Sequence, residues 1–90
     1  MLEFDWDVEN LTHIARHHVA SEDVEFALTN GSVEIEYQDW HSSEVRFAEV
    51  GMTASGRILY ILITMRGHRI RVVTAYDAPR DLVREYLERG

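Results

Sequence analysis

Ninety residues, 46% hydrophobic and 28% charged, make one small globular unit, too short for several domains and too apolar for a disordered chain. A chain of this size buries roughly 60 to 65% of its unfolded surface, so function is expected on a surface or in a shallow cleft. The absence of cysteine excludes disulfide scaffolds, thiolate zinc sites and cysteine nucleophiles.

The longest apolar run, Ile58 to Thr64, is a strand's length, and Met1 to Asp5 lack the basic start and apolar stretch of a signal peptide. The expectation is a soluble, cytoplasmic protein with no membrane partner. A net charge of −7 argues against nucleic acid, because polyanions are bound by neutralising phosphates with Lys or Arg. The distribution argues the other way. Residues 1 to 45 hold eleven acids and one arginine, whereas residues 46 to 90 hold five acids and eight arginines. Every basic residue is arginine, the better planar fork for phosphate or carboxylate, although GC-rich codon usage gives the same substitution without a function.

Asp7 is the natural N-cap of a first helix over residues 8 to 18, with Val8, Leu11, Ile14, Ala15 and His18 at helical spacing. Ser21, Glu22 and Asp23 open a second helix over 22 to 29, whose buried face is Val24, Ala27 and Leu28 and whose stop is Asn30-Gly31. From Ser32 the period becomes two, with Val33, Ile35 and Tyr37 on one face and Glu34 and Glu36 on the other. After a polar loop, Gln38 to Ser43, strands follow over 45 to 52, 57 to 65 and 69 to 76. The second of these is apolar almost throughout and is expected inside the sheet. Gly67-His68 fits a two-residue hairpin of type II′. Asp77, Ala78 and Pro79 open a last helix with Leu82, Val83, Tyr86 and Leu87 on its apolar stripe. The fold class is α+β in a single domain, residues 1 to 90: two N-terminal helices, a four-stranded antiparallel meander and a C-terminal helix. A short strand at Leu2 to Trp6 is a further possibility.

The motifs Trp6-Asp7-x-x-Asn10-x-x-His13-Ile14-x-x-His17-x-Val19, Glu22-x-Val24-Glu25, Arg46-Phe47, Gly51-x-Thr53, Gly56-Arg57, Ile70-Arg71-Val72-Val73, Ala75 and Tyr86 run through nearly the whole chain. Together they resemble the BrnT family, toxins of type II toxin-antitoxin pairs with a RelE-like fold. The resemblance implies a bacterial ribonuclease working without a metal or cofactor. It also implies an antitoxin of ribbon-helix-helix type as partner, in whose company the toxin regulates its own operator. The chain departs from the pattern at four places. An arginine usual after the last strand's Ser-Ala is Tyr76, a glutamate of the closing helix is Leu82, a glycine after the helix-one histidine is His18, and basic residues of the first helix are Asn10 and Thr12.

RNA cleavage without a metal needs a base for the 2′-hydroxyl, an acid for the leaving oxygen and cations for the phosphorane. The candidates for catalysis are His17, for proton transfer, with Arg46, Arg71 and Tyr86. Arg57, Arg69, Arg80 and Arg84 are the further phosphate or RNA ligands, Arg69 and Arg71 sharing a strand face. The competing structural roles are a helix C-terminal His17, a His13 that fixes helix to sheet, and a Tyr86 in the core. A zinc reading of His13, His17 and His18 lacks a placed third ligand. His41 and His68 fall in loops, and Trp40 is the loop aromatic that marks a contact surface. Should Arg46 and Arg71 pair with acids of the first half, the segregated charge is architecture and the reading of these two arginines as a phosphate site falls. The expected activity is weak cleavage, with Arg71→Ala costing more than His13→Ala. The alternative is a non-catalytic interaction module of the same fold that binds an antitoxin-like partner and acts in transcriptional autoregulation.

Overall fold

A computed structural model describes residues 2–37 and 43–89, so Trp40 and His41 lie outside the described residues. In chain order the elements are α1 (Val8–Ala15), α2 (Ser21–Thr29), β1 (Val33–Ile35), β2 (Arg46–Met52), β3 (Ile58–Arg66), β4 (Arg69–Asp77) and α3 (Arg80–Arg89). The strands form one antiparallel sheet in the order β1-β2-β3-β4, and β3 is paired on both sides, as its apolar run predicts. The N-terminal segment contributes a single parallel bridge, Phe4 to Ile70, rather than a strand. It covers the outer edge of β4 through Asp5 N–H to Ile70 O and Ile70 N–H to Glu3 O, both 2.8 Å.

Helices α1 and α2 cover one face of the sheet. Ile14, Val19, Val24 and Ala27 pack there against Leu59, Ile61, Ile63, Ile70, Val72 and Ala75. Gly51 allows this approach, since a Cβ at that position would lie 2.8 Å from the Ala27 carbonyl oxygen. The opposite face carries Arg46, Ala48 and Val50 of β2 beside Thr64, Leu62 and Tyr60 of β3. Helix α3 packs nearest β2, with Leu82, Val83 and Tyr86 half-buried and Leu87 exposed, so its apolar stripe is only partly covered.

The apolar stripe expected for α1 is corrected by the structure. Val8, Leu11 and Ala15 are exposed, and the buried residues are Asn10 and Ile14. The reason is polar: α1 runs along the edge of β4, where Asn10 Nδ2 donates to Asp5 O (2.9 Å) and Val72 O (3.4 Å) and so satisfies buried backbone. The helix also stops at Ala15 rather than 18. His18 adopts φ +58°, Val19 N–H reaches back to Ile14 O and His18 N–H to Ala15 O, closing the end as a left-handed cap does. Helix α2 starts one residue earlier than expected, with the Asp23 carboxylate accepting from Ala20 N–H.

The Gly67-His68 turn closes on the pair Arg66–Arg69, with φ +63° at Gly67 and no positive φ at His68, as a type II′ turn requires. A bulge then interrupts the β3–β4 ladder. Ile63 faces Val72, whereas Leu62 faces Thr74, so Val73 is the extra residue. Beyond the bulge Ala75 turns into the core, and Thr74 and Tyr76 turn to the outer face that also bears Arg71.

His18 is the one non-glycine at positive φ among the described residues, in a conformation that costs a β-carbon-bearing side chain energy. His18→Gly is therefore expected to stabilise the fold by about 1 kcal/mol, net of the extra freedom glycine gives the unfolded chain. A urea midpoint raised at constant slope would show it; an unchanged or lower midpoint would mean that the cap carries no strain.

Candidate functional site

Register places three side chains in one row. Arg46 faces Thr64 across β2–β3, and Thr64 faces Arg71 across β3–β4, so the two arginines flank a buried threonine on the outer face. Two residues from Thr64 on the same strand, Arg66 joins them, and α1 brings His13 and Glu9 over the edge of β4. Together with Glu44 and Arg16 these residues line a cleft of about 340 Å³. Arg16, Arg66, Glu9 and Glu44 escape sequence reasoning, because no motif marks them; only the α1 edge position and the register bring them to the row.

Both arginines assigned to phosphate are paired with acids of the first half. Arg71, with a side chain only 12% exposed, holds Asp7 with a two-nitrogen fork at 2.9 and 3.3 Å, and it reaches Glu9 (3.4 Å) and Asp5 (3.7 Å). Glu44 pairs with Arg66 (3.1 Å) and Arg46 (3.6 Å). By that test the segregated charge is architecture, and the reading of Arg46 and Arg71 as open phosphate ligands falls. For Arg71 the cause is burial: an arginine this covered needs a partner, and Asp7, which also caps α1 by accepting from Asn10 N–H, supplies it.

The other candidates separate. Arg57 braces the turn after α1: its Nε donates to Asp77 and its two Nη groups donate to the carbonyls of His17 and His18. Arg69 shares the sheet face of Arg71 as expected but sits at the hairpin, 3.9 Å from Glu3, which also pairs with His68 (2.7 Å). Arg80 and Arg84 are exposed on α3 and Tyr86 is half-buried there, and none of the three lines the cleft.

His13 of α1 and His17, in the turn just beyond it, face different surroundings. His13 Nε2 lies 3.0 Å from Thr74 Oγ1, and the ring lines the cleft. The His17 ring lies one turn on, 5.9 Å from that of His13 and 5.6 Å from Tyr76, which stacks on Tyr60 at 5.0 Å and 18°. His17, His18, Tyr76, Asp77 and Arg16 line a second, more open groove of about 520 Å³. Burial, then the neighbouring Tyr76 and Tyr37, push the Tyr60 phenol above its ordinary value. Among the described residues no three His, Asp or Glu side chains converge as a metal site needs, and no helix is long and apolar enough to cross a membrane.

The hydrogen bond from Arg71, and after it the Asn10 backbone N–H, hold the Asp7 carboxyl below its ordinary value of 3.8. A carboxyl lowered on folding contributes stability that is complete above that value and disappears as pH falls through the folded one. The expected outcome is an acid limb of the stability curve, below about pH 4, that flattens in Asp7→Asn. Denaturant unfolding of both proteins from pH 2 to 7 checks this; parallel curves would remove Asp7 from the acid response.

Among known families, the model of the ribonuclease toxin BrnT, of type II toxin-antitoxin systems, matches residues 6–81. A search of curated proteins finds no match. That family match spans α1, α2, the entire sheet and the start of α3, and includes every residue that lines the cleft. The chain therefore belongs to the BrnT family and is the toxin component of a type II toxin-antitoxin system, a ribonuclease toxin with an antitoxin as its partner.

Proposed function

We propose that the cleft beside α1 is the RNA-cleaving site of this toxin, and that it works without a metal. The observation that carries this reading is a local one: of the four arginines that line the cleft, Arg46 and Arg66 share the single carboxylate of Glu44, in a protein whose net charge is −7. Guanidinium groups that share one carboxylate can draw a phosphate to this wall, beside which the His13 imidazole also lies.

In this reading Arg46 and Arg66 turn from Glu44 to the phosphate, and Arg16, which makes no ion pair among the described residues, adds charge at the rim. Glu44, released, takes the proton of the 2′-hydroxyl as that oxygen attacks phosphorus. His13, as imidazolium, gives a proton to the 5′-oxygen as the P–O5′ bond breaks, leaving a 2′,3′-cyclic phosphate and a 5′-hydroxyl. His13 takes the proton-transfer role in place of His17, whose ring lies in the neighbouring groove. Tyr86, Arg69, Arg80 and Arg84 have no part in the chemistry. The antitoxin is of ribbon-helix-helix type and the toxin works in the cytoplasm; the family resemblance supports both.

The experiment is cleavage of a single-stranded RNA at low salt, where the local basic field is least screened. Arg46→Ala is expected to lose about a hundredfold in rate and His13→Ala at least as much, the usual cost of one well-placed donor or proton-transfer group. Arg71→Ala should lower thermal stability before it lowers rate. A folded His13→Ala that cleaves like the wild type would sink the assignment. The carboxylates already seated on Arg46 and Arg71 favour one second reading, a module that binds its antitoxin and regulates transcription without cleaving; a wild type inert at low salt that still binds a ribbon-helix-helix partner tightly would favour it over cleavage.

A further inference from the structure

We infer that the groove at the end of β4 is a stacking subsite for one nucleobase of single-stranded RNA, with Tyr76 and His17 as the rings it packs against. The inference rests on the cleft being the RNA site and adds the contact that holds the strand beside it.

Four rings run without a gap from cleft to groove: His13 to His17 at 5.9 Å, His17 to Tyr76 at 5.6 Å, Tyr76 to Tyr60 at 5.0 Å. None of them belongs to the apolar core; they lie along the outer face and the α1 edge, with His17 exposed and Tyr76 half-buried. Tyr60, partly buried and stacked nearly parallel to Tyr76, fixes the plane of that ring, so its orientation is preset before any ligand arrives. Arg16 lines both the cleft and the groove, which places a cation at their junction where a bridging phosphate would pass. Along β3 the step from Thr64 in the arginine row to Tyr60 in the tyrosine row is about 13 Å at the usual strand rise, within the reach of a short oligonucleotide.

A tyrosine here brings a π-face in place of a positive charge, and stacking is tolerant of base identity because every base has such a face. The subsite therefore contributes affinity for the strand rather than charge for the reaction. Its position depends on the β4 bulge, without which Tyr76 would point into the core.

The probe is a 2′-O-methyl RNA tetranucleotide, which has no free 2′-hydroxyl and is not cleaved, with an abasic version beside it; binding is read by calorimetry at low salt. Tyr76→Phe should bind like the wild type, and Tyr76→Leu, which keeps bulk without a π-face, should bind about tenfold more weakly. The abasic series bound equally by wild type and Tyr76→Leu completes the expected pattern, and circular dichroism confirms that each variant is folded. Tyr76→Leu binding as tightly as the wild type, or losing equally on the abasic strand, overturns the subsite. Arg46→Ala separates the two readings. If it loses binding while Tyr76→Leu does not, the cleft stands and the stacking subsite falls; if neither variant changes binding, or the wild type binds no strand, both fall.

Discussion

The attachment of α1 to the edge of β4 is the constraint on which the rest of the outer face depends. Asp7 serves two partners at once, capping the helix through Asn10 N–H and gripping the Arg71 fork, while Asn10 ties the first turn to the carbonyls of Asp5 and Val72. Arg57 does the equivalent at the other end by donating to the carbonyls of His17 and His18. A helix of eight residues is too short to persist alone, so its position is set by these polar ties together with Ile14. Fixed at both ends, α1 and the turn just beyond it present His13 and His17, four residues apart, on the side facing the outer strand.

The second determinant is the single bulge in β4. Strict alternation from Arg71 would send Val73 and Ala75 outward and bury Thr74 and Tyr76. Inserting Val73 reverses this beyond Val72, so small Ala75 fits beneath the helices and the two hydroxyl-bearing residues meet His13 and His17. One extra residue thus converts a strand with a basic first half into one with a basic half and an aromatic half on the same face.

Helices, strands and the interior position of β3 were legible because each rests on a local signal: a cap, a period of two, a glycine-first turn. The end of α1 was not, because His18 occupies a left-handed position that glycine usually marks and an imidazole does not. Nor was its buried face, since burial of Asn10 follows from backbone groups of distant segments rather than from apolar spacing. In the site, Arg71, Arg46 and the pair His13 and His17 could be named from sequence, but not their partners. The pair Arg71–Asp7 requires α1 to dock on β4, the pair Arg66–Glu44 requires β2 to lie beside β3, and the bracing role of Arg57 requires the meeting of the end of α1 with the ends of β3 and β4.

Those ion pairs also explain how an acidic protein keeps a cationic cleft intact. Three arginines gathered on one sheet face repel one another, and a charge as covered as that of Arg71 would destabilise the fold without a counterion. Asp7, 64 residues from Arg71 in the chain, and Glu44, just before β2, meet this need, and each is matched to the exposure of its arginine. Asp7 grips the most covered guanidinium with two short bonds, whereas Glu44 shares itself between two more exposed ones, the nearer at 3.1 Å. Because exposed pairs are weak and covered forks are strong, the cleft divides into a fixed wall at Arg71 and an exchangeable wall at Arg46 and Arg66. The proposed phosphate site lies at the second wall because another anion can there take the place of the carboxylate that Arg46 and Arg66 share.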